Sequence, residues 1–209
     1  MGHVVYVHGL WMPGDESLVL RHRLGQDFGL TLHTLRYSAA YSNMDAITER
    51  LDGFVRELQV SEVHFVGHSL GGLVIHRFLE RFRQQPPGRA VFLGSPCVAS
   101  RAAQQAARFA PIMHLMGQSV AEELLQENER RWTHDRPLGI VAGTQPLGVG
   151  QLLAGFDEDN DGTVAVSETR MPGMSDHITL PVSHLGMLMS ARVARETGLF
   201  LTQGRFSLR

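Results

Sequence analysis

The segment Val63-His64-Phe65-Val66-Gly67-His68-Ser69-Leu70-Gly71-Gly72 carries the most specific chemistry in the chain. An apolar run gives way to G-x-S-x-G and then to a helical pattern, the context that separates a nucleophile-bearing turn from a chance match. A serine on a sharp strand-to-helix turn adopts strained dihedrals, and side chains two residues to either side would collide. Gly67 and Gly71 remove those side chains. The turn exposes the Ser69 hydroxyl at a helix N-terminus, where partial positive charge and the Leu70 N–H favour a developing oxyanion. A serine hydroxyl is a weak nucleophile until a base takes its proton, so an acidic residue and then a histidine should follow in the chain. Asp157, Asp159, Asp161 and Asp176 are the candidate acids, and eleven histidines offer bases.

The same acidic stretch has a rival reading. Asp157-Glu158-Asp159-Asn160-Asp161-Gly162, five further residues and Glu168 match the twelve-residue EF-hand pattern, with Val164 at its apolar eighth position. Carboxylates at positions 1, 3, 5 and 12 around a glycine turn suit Ca²⁺, so Asp157, Asp159, Asp161 and Glu168 form a candidate metal set. An EF-hand also needs flanking helices. Gly148, Gly150 and Gly155 weaken one before the loop, and Pro172-Gly173 stops one after it. The two readings compete for Asp161, because one carboxylate cannot both orient an imidazole and face a cation without weakening each.

These groups need a scaffold, and the chain is long enough for one. At 209 residues, against ~150 per domain, a single domain over 1–209 is expected. A composition 43% hydrophobic and 19% charged supports a sizeable core. Apolar β-rich runs at 3–8, 31–36, 62–66, 90–93, 138–142 and 178–182 alternate with helical patterns at about 16–28, 45–58, 70–82 and 185–196. Such alternation builds an α/β fold: an open, mostly parallel six-stranded sheet with helices on both faces. Two stretches depart from it. Residues 98–135 hold two helical patterns, with Leu115, Met116, Val120, Leu124 and Leu125; they read either as helices buried on the sheet or as a lid, and are too short for a second domain. Residues 144–176 read as a long loop near the carboxyl ends of the strands, where open α/β sheets bind ligands.

Composition excludes several chemistries. All nineteen basic residues are arginine, so Schiff-base, PLP-lysine and P-loop chemistry are ruled out. Cys97 is the single cysteine, which excludes an internal disulfide and a thiolate metal cage. It reads as a small loop residue after the fourth strand. A net charge of −2 without charge runs argues against nucleic acid as a partner. No apolar run approaches ~18 residues, so no membrane span is expected. No signal-peptide pattern opens the chain, and a cytoplasmic location is the expectation.

The order of elements, Gly67-His68-Ser69-Leu70-Gly71-Gly72 after the third strand, and His8-Gly9-Leu10-Trp11 after the first resemble the α/β-hydrolase superfamily. More narrowly, the chain is similar to small lipases and esterases lacking the first two strands of the larger enzymes. The resemblance spans nearly the whole chain. It implies that the HG pair leads into a second oxyanion-hole amide, at Leu10, opposite Leu70, and that Trp11 and Met12 line the substrate pocket. It places the base in the loop after the last strand, which selects His184; His177 precedes that strand, and the His68 side chain is expected to point away from the reacting centre. The Asn160-Asp161-Gly162-Thr163-Val164 stretch resembles the acid-bearing loop of bacterial relatives and selects Asp161.

The expected activity is cleavage of a carboxylic ester through a Ser69–His184–Asp161 triad and an acyl-enzyme, with no cofactor and a small acyl ester or thioester as substrate. Thioester hydrolysis and acyl transfer remain open on the same triad. A non-catalytic binding protein on a hydrolase scaffold and a Ca²⁺-binding protein are the alternatives from other classes.

Overall fold

Strands β1 (Gly2–Val7), β2 (Leu30–Leu35), β3 (Val63–His68), β4 (Ala90–Leu93), β5 (Leu138–Gly143) and β6 (Asp176–Leu180) form one sheet in the order β2-β1-β3-β4-β5-β6. Every neighbouring pair is parallel, with Gly2 opposite Leu30 on one side of β1 and His3 opposite Val63 on the other. This computed structural model describes residues 2–10, 12–38, 43–98, 130–147 and 157–207. Trp11 and most of the 98–135 insert, including the candidate lid residues Leu115 to Leu125, lie outside the described residues.

The helices among the described residues are α1 (Leu18–Phe28), α2 (Met44–Leu58), α3 (Leu70–Arg81), α4 (Gly186–Met189) and α5 (Ala191–Gln203). They cover both faces of the sheet, because strand side chains alternate and a parallel sheet buries each side. Val5 and Val7 of β1 join Phe65, Phe92 and Ile140 beneath Ile47, Leu51 and Val55 of α2 and Leu73 and Phe78 of α3. Val4 and Tyr6 point the other way, and with Val66, Val91 and Val141 they pack on Leu20 and Leu24 of α1 and Val193, Phe200 and Leu201 of α5. Asn43 caps α2, its side chain accepting from the Ala46 N–H at 2.7 Å. No helix among the described residues is long and apolar enough to cross a membrane.

Two boundaries differ from the expectation. The last strand is Asp176–Leu180, not 178–182: Pro181 has no N–H to give the ladder, and the Val182 N–H turns back to the Leu180 carbonyl at 2.8 Å. The final helix is two pieces. Ser190 leaves helical geometry, and its hydroxyl caps α5 by accepting from Val193 N–H at 3.3 Å. Helix α5 then runs past Glu196 to Gln203, through Gly198, where a Cβ would lie 2.3 Å from the Phe28 ring. The glycine is a packing notch for α1 rather than a helix stop.

Candidate active site

The β3–α3 junction places Ser69. Its backbone sits at φ 55°, ψ −123°, and Ser69 and Gln59 are the non-glycine residues at positive φ among the described ones. Gln59 merely ends a helix in left-handed geometry, φ 50°, ψ 41°. Ser69 is in a region reserved in practice for glycine, a conformation that costs about 1–3 kcal/mol and persists only where neighbours over-determine it. Those neighbours are identifiable. The Ser69 N–H donates to the Leu93 carbonyl at 2.9 Å and the Ser69 carbonyl accepts from Gly72 N–H at 3.2 Å. Any Cβ at Gly71 would lie 2.0 Å from the Val7 carbonyl oxygen, and one at Gly67 would lie 2.5 Å from the Gly72 nitrogen. Both glycines of the motif are therefore required by backbone contact. Leu70 is the first residue of α3, so its N–H has no partner within the helix.

The end of β1 packs alongside. His8 is buried, its ring stacked on Tyr37 with centroids 4.1 Å apart. Its Nδ1–H donates to the Gly9 carbonyl at 2.8 Å, and the Tyr37 hydroxyl donates to the His8 carbonyl at 2.6 Å. Burial lowers the His8 pKa and keeps the ring neutral, as suits a structural prop. A Cβ on Gly9 would lie 3.1 Å from Ser69 Cβ, so this turn and the elbow touch. Leu10 follows with its half-buried side chain packed against the core, and Met12 is also half-buried.

Asp161 and His184 meet. The His184 Nδ1–H donates to Asp161 Oδ2 at 2.7 Å, and the His184 N–H donates to the Asp161 carbonyl at 2.9 Å. The other carboxylate oxygen, Oδ1, accepts from the N–H groups of Thr163 and Val164, both at 2.8 Å. Asp161 is 1% exposed, so a buried charge is matched by three donors. The turn that aims it is local: Asn160 bridges Ala165, and the Asn160 side-chain oxygen accepts from Gly162 N–H at 3.0 Å.

The remaining candidates are placed elsewhere. Asp176 opens β6 at the amino end of the sheet, where its carboxylate accepts from Phe206 and His177 N–H. His177 lies inside β6, not before it, with Nε2 2.9 Å from Thr169 Oγ1 and a pKa that burial pushes down to about 4. Within the EF-hand-like stretch the carboxylates turn to backbone and hydroxyl donors. Glu168 accepts from Ala165 N–H at 3.1 Å and Glu158 accepts from the Ser167 hydroxyl at 2.9 Å. Asp157 and Asp159 face solvent, and no group of three His, Cys, Asp or Glu able to hold a metal converges among the described residues. Cys97 is buried, its thiol pKa pushed up to about 12 by desolvation, which leaves it unreactive.

One expectation is overturned. The His68 ring does not point away: it lies against His184, with centroids 4.7 Å apart and Nε2 2.9 Å from the His184 carbonyl oxygen. The GxSxG pattern leaves that position unspecified, so nothing in the motif marked it. A second residue missed is Gly94, directly after β4. At φ 57°, a Cβ there would sit 2.9 Å from Asp161 Oδ2 and 3.1 Å from His184 Nδ1. Its signal was a glycine closing an apolar strand, the usual mark of close approach. Ser69 and His184 side chains are not hydrogen-bonded to each other in this resting arrangement, and such contacts often tighten only when substrate binds.

No curated protein sequence matches the chain. Among solved structures, a lipase from Bacillus licheniformis, BlEst2 in its mature form, superposes with a TM-score of 0.72 at 18% identity, over 98% of this chain and 92% of that one. The thioesterase RedJ from the prodiginine pathway of Streptomyces coelicolor gives 0.59 at 13% identity, over 94% and 84%. An extracellular alpha/beta-hydrolase from a Paenibacillus species gives 0.66 at 13%, over 100% of both chains. At these identities the likeness is one of fold. The alpha/beta hydrolase family matches in sequence over residues 4–196, which takes in the elbow, the Asp161 turn and His184. With that span and the six-stranded parallel sheet, the chain belongs to the alpha/beta hydrolase family.

Proposed function

We propose that the chain is a serine hydrolase that cleaves a carboxylic ester of a small acyl substrate, with Ser69 as nucleophile, His184 as base and Asp161 as the orienting acid. The observation that carries this reading is the backbone of Ser69. A serine held in a glycine-only conformation has no packing rationale, whereas presenting its hydroxyl above the carboxyl end of the sheet supplies a chemical one. The bond from Nδ1–H to Asp161 leaves the lone pair of His184 on Nε2, the tautomer a general base requires. Ser69 Oγ attacks the acyl carbonyl as Nε2 takes its proton, and the Leu10 and Leu70 amides hold the oxyanion. The imidazolium then protonates the leaving alcohol. Water, deprotonated by the same nitrogen, releases the acid and restores the serine.

The family resemblance assigns Trp11 and Met12 to the acyl or alcohol pocket. A thioester follows the same path with a thiol leaving group, so it is the second substrate class. No step needs a cofactor.

A fluorophosphonate probe tests the nucleophile. Folded protein should be labelled stoichiometrically, with the adduct on Ser69 by peptide mass spectrometry; absence of labelling overturns the reading. A panel of acyl esters and thioesters of graded chain length, run on the labelling-competent protein, then sets the preferred bond and acyl length.

Gly94 provides an independent test of the Asp161–His184 pair. Gly94→Ala forces a side chain against both partners at a backbone φ that resists one. Turnover of an activated ester should fall by about 10- to 100-fold, the scale of misplacing a catalytic group by roughly an ångström. Steady-state kinetics on the folded variant measure it, and unchanged turnover would detach the pair from the reaction.

A further inference from the structure

We propose that His68 is a positioning residue that ties the nucleophile elbow to the loop carrying His184, through a hydrogen bond from its Nε2–H to the His184 carbonyl. The inference rests on the triad reading above and names the device that keeps its two halves in register.

The topology creates the need. Ser69 follows β3, whereas Asp161 and His184 come from the connections after β5 and β6, and β4 and β5 separate β3 from β6 in the sheet. His184 is anchored twice to Asp161, by its ring and by its N–H, so these two residues form one unit that could shift together. The His68 bond, 2.9 Å long and spanning 116 positions in sequence, links that unit to the covalent neighbour of the nucleophile.

A carbonyl oxygen only accepts, so Nε2 must carry the proton and His68 must be the donor. The ring is entirely buried, and desolvation pushes its pKa down to about 3, so it stays neutral while His184 gains and loses a proton beside it. A second imidazolium at 4.7 Å would oppose protonation of the base; a neutral donor does not.

Packing alone does not account for this side chain. Nδ1 is buried without a hydrogen-bond partner, on the side where a Gly9 Cβ would lie 3.4 Å away. An unpaired buried nitrogen is unfavourable, and an aliphatic side chain would fill the space without it. What an aliphatic residue lacks is the donor on Nε2.

The test uses three measurements on the full chain. Ring ¹⁵N NMR of histidine-labelled protein, with His68 assigned, should show the Nε2–H tautomer from pH 5 to 9. The Nδ1–H tautomer or an imidazolium would overturn the proposal without any mutation. His68→Leu should lower kcat at least tenfold on an activated ester, with KM within twofold, and slow fluorophosphonate labelling of Ser69 by a similar factor. His68→Gln, whose amide N–H reaches as far as Nε2, should recover most of both rates. Equal impairment of the two variants, or wild-type rates in His68→Leu, would reduce His68 to packing. If wild-type protein is not labelled at Ser69, the triad reading itself falls; if it is labelled and His68→Leu labels as fast, only the tether falls.

Discussion

Ser69→Ala is expected to reduce kcat for a short-chain activated ester by on the order of 10⁶-fold, the scale seen when the nucleophile of a serine triad is removed. KM should move little, because the hydroxyl becomes a strong partner of the acyl carbon only along the reaction path. On the proposed mechanism acyl-enzyme chemistry ends altogether, and what remains is water attacking a carbonyl polarised by the amides proposed for the oxyanion hole, Leu10 and Leu70. The fold should survive. Ser69 is held through its N–H to Leu93 and its carbonyl to Gly72, both main-chain bonds that alanine keeps, and its side chain caps nothing at the start of α3. Stopped-flow or steady-state kinetics on protein with a wild-type thermal melt decide it. A variant that retains more than about a tenth of wild-type kcat would mean that bond cleavage proceeds without this hydroxyl.

Why some of this was legible in the amino-acid sequence, and some not, follows from the range of the interactions. The elbow is written in consecutive residues: Gly67 answers to the backbone of Gly71 and Gly72 one turn on, and although Gly71 answers to Val7 and His8 at the end of β1, the motif and its strand-to-helix context mark both positions. The inner strands β1, β3, β4 and β5 were readable because a parallel sheet buried on both faces demands apolar runs, whereas the edge strands β2 and β6 interleave polar residues with apolar ones. Their ends were less so. Pro181 shortens β6 by removing a single donor, and Ser190 splits the last helix by a cap bond, both effects smaller than the periodic signal around them.

Asp161 and His184 could be nominated only through resemblance. Three aspartates in five residues look alike as a string, and the structure distinguishes them by a local turn, Asn160 against Ala165, that buries one and leaves Asp157 and Asp159 in water. That turn also accounts for the EF-hand match. Glycine at the sixth position is needed by a tight acidic turn whether its carboxylates face a cation or, as here, the backbone N–H groups of Thr163, Val164 and Ala165. The contact of His68 with His184 joins positions 116 apart and has no periodic or motif signature. Only the closed tertiary arrangement reveals it.

Asp161→Asn should keep the fold and lose about 10⁴-fold in kcat, the cost of the wrong imidazole tautomer. The argument is one of donors and acceptors. Oδ1 accepts from two backbone N–H groups, Thr163 and Val164, so the oxygen of an asparagine amide must occupy that position. Its NH₂ is thereby turned to where Oδ2 stands, 2.7 Å from His184 Nδ1. Two donors cannot face each other. His184 relieves the conflict by moving its proton to Nε2, so that Nδ1 accepts from the amide, and Nε2 then has no lone pair with which to take the Ser69 proton. Because asparagine retains both turn bonds, the melting temperature should stay near that of the wild type. Asp161→Ala, which abandons the two backbone donors in a site 1% exposed, should lower it distinctly. Thermal melts and kinetics on the two variants separate the contributions. A stable Asp161→Asn protein with kcat within about tenfold of wild type would show that His184 is oriented by another group, and the assignment of the acid would fall with it.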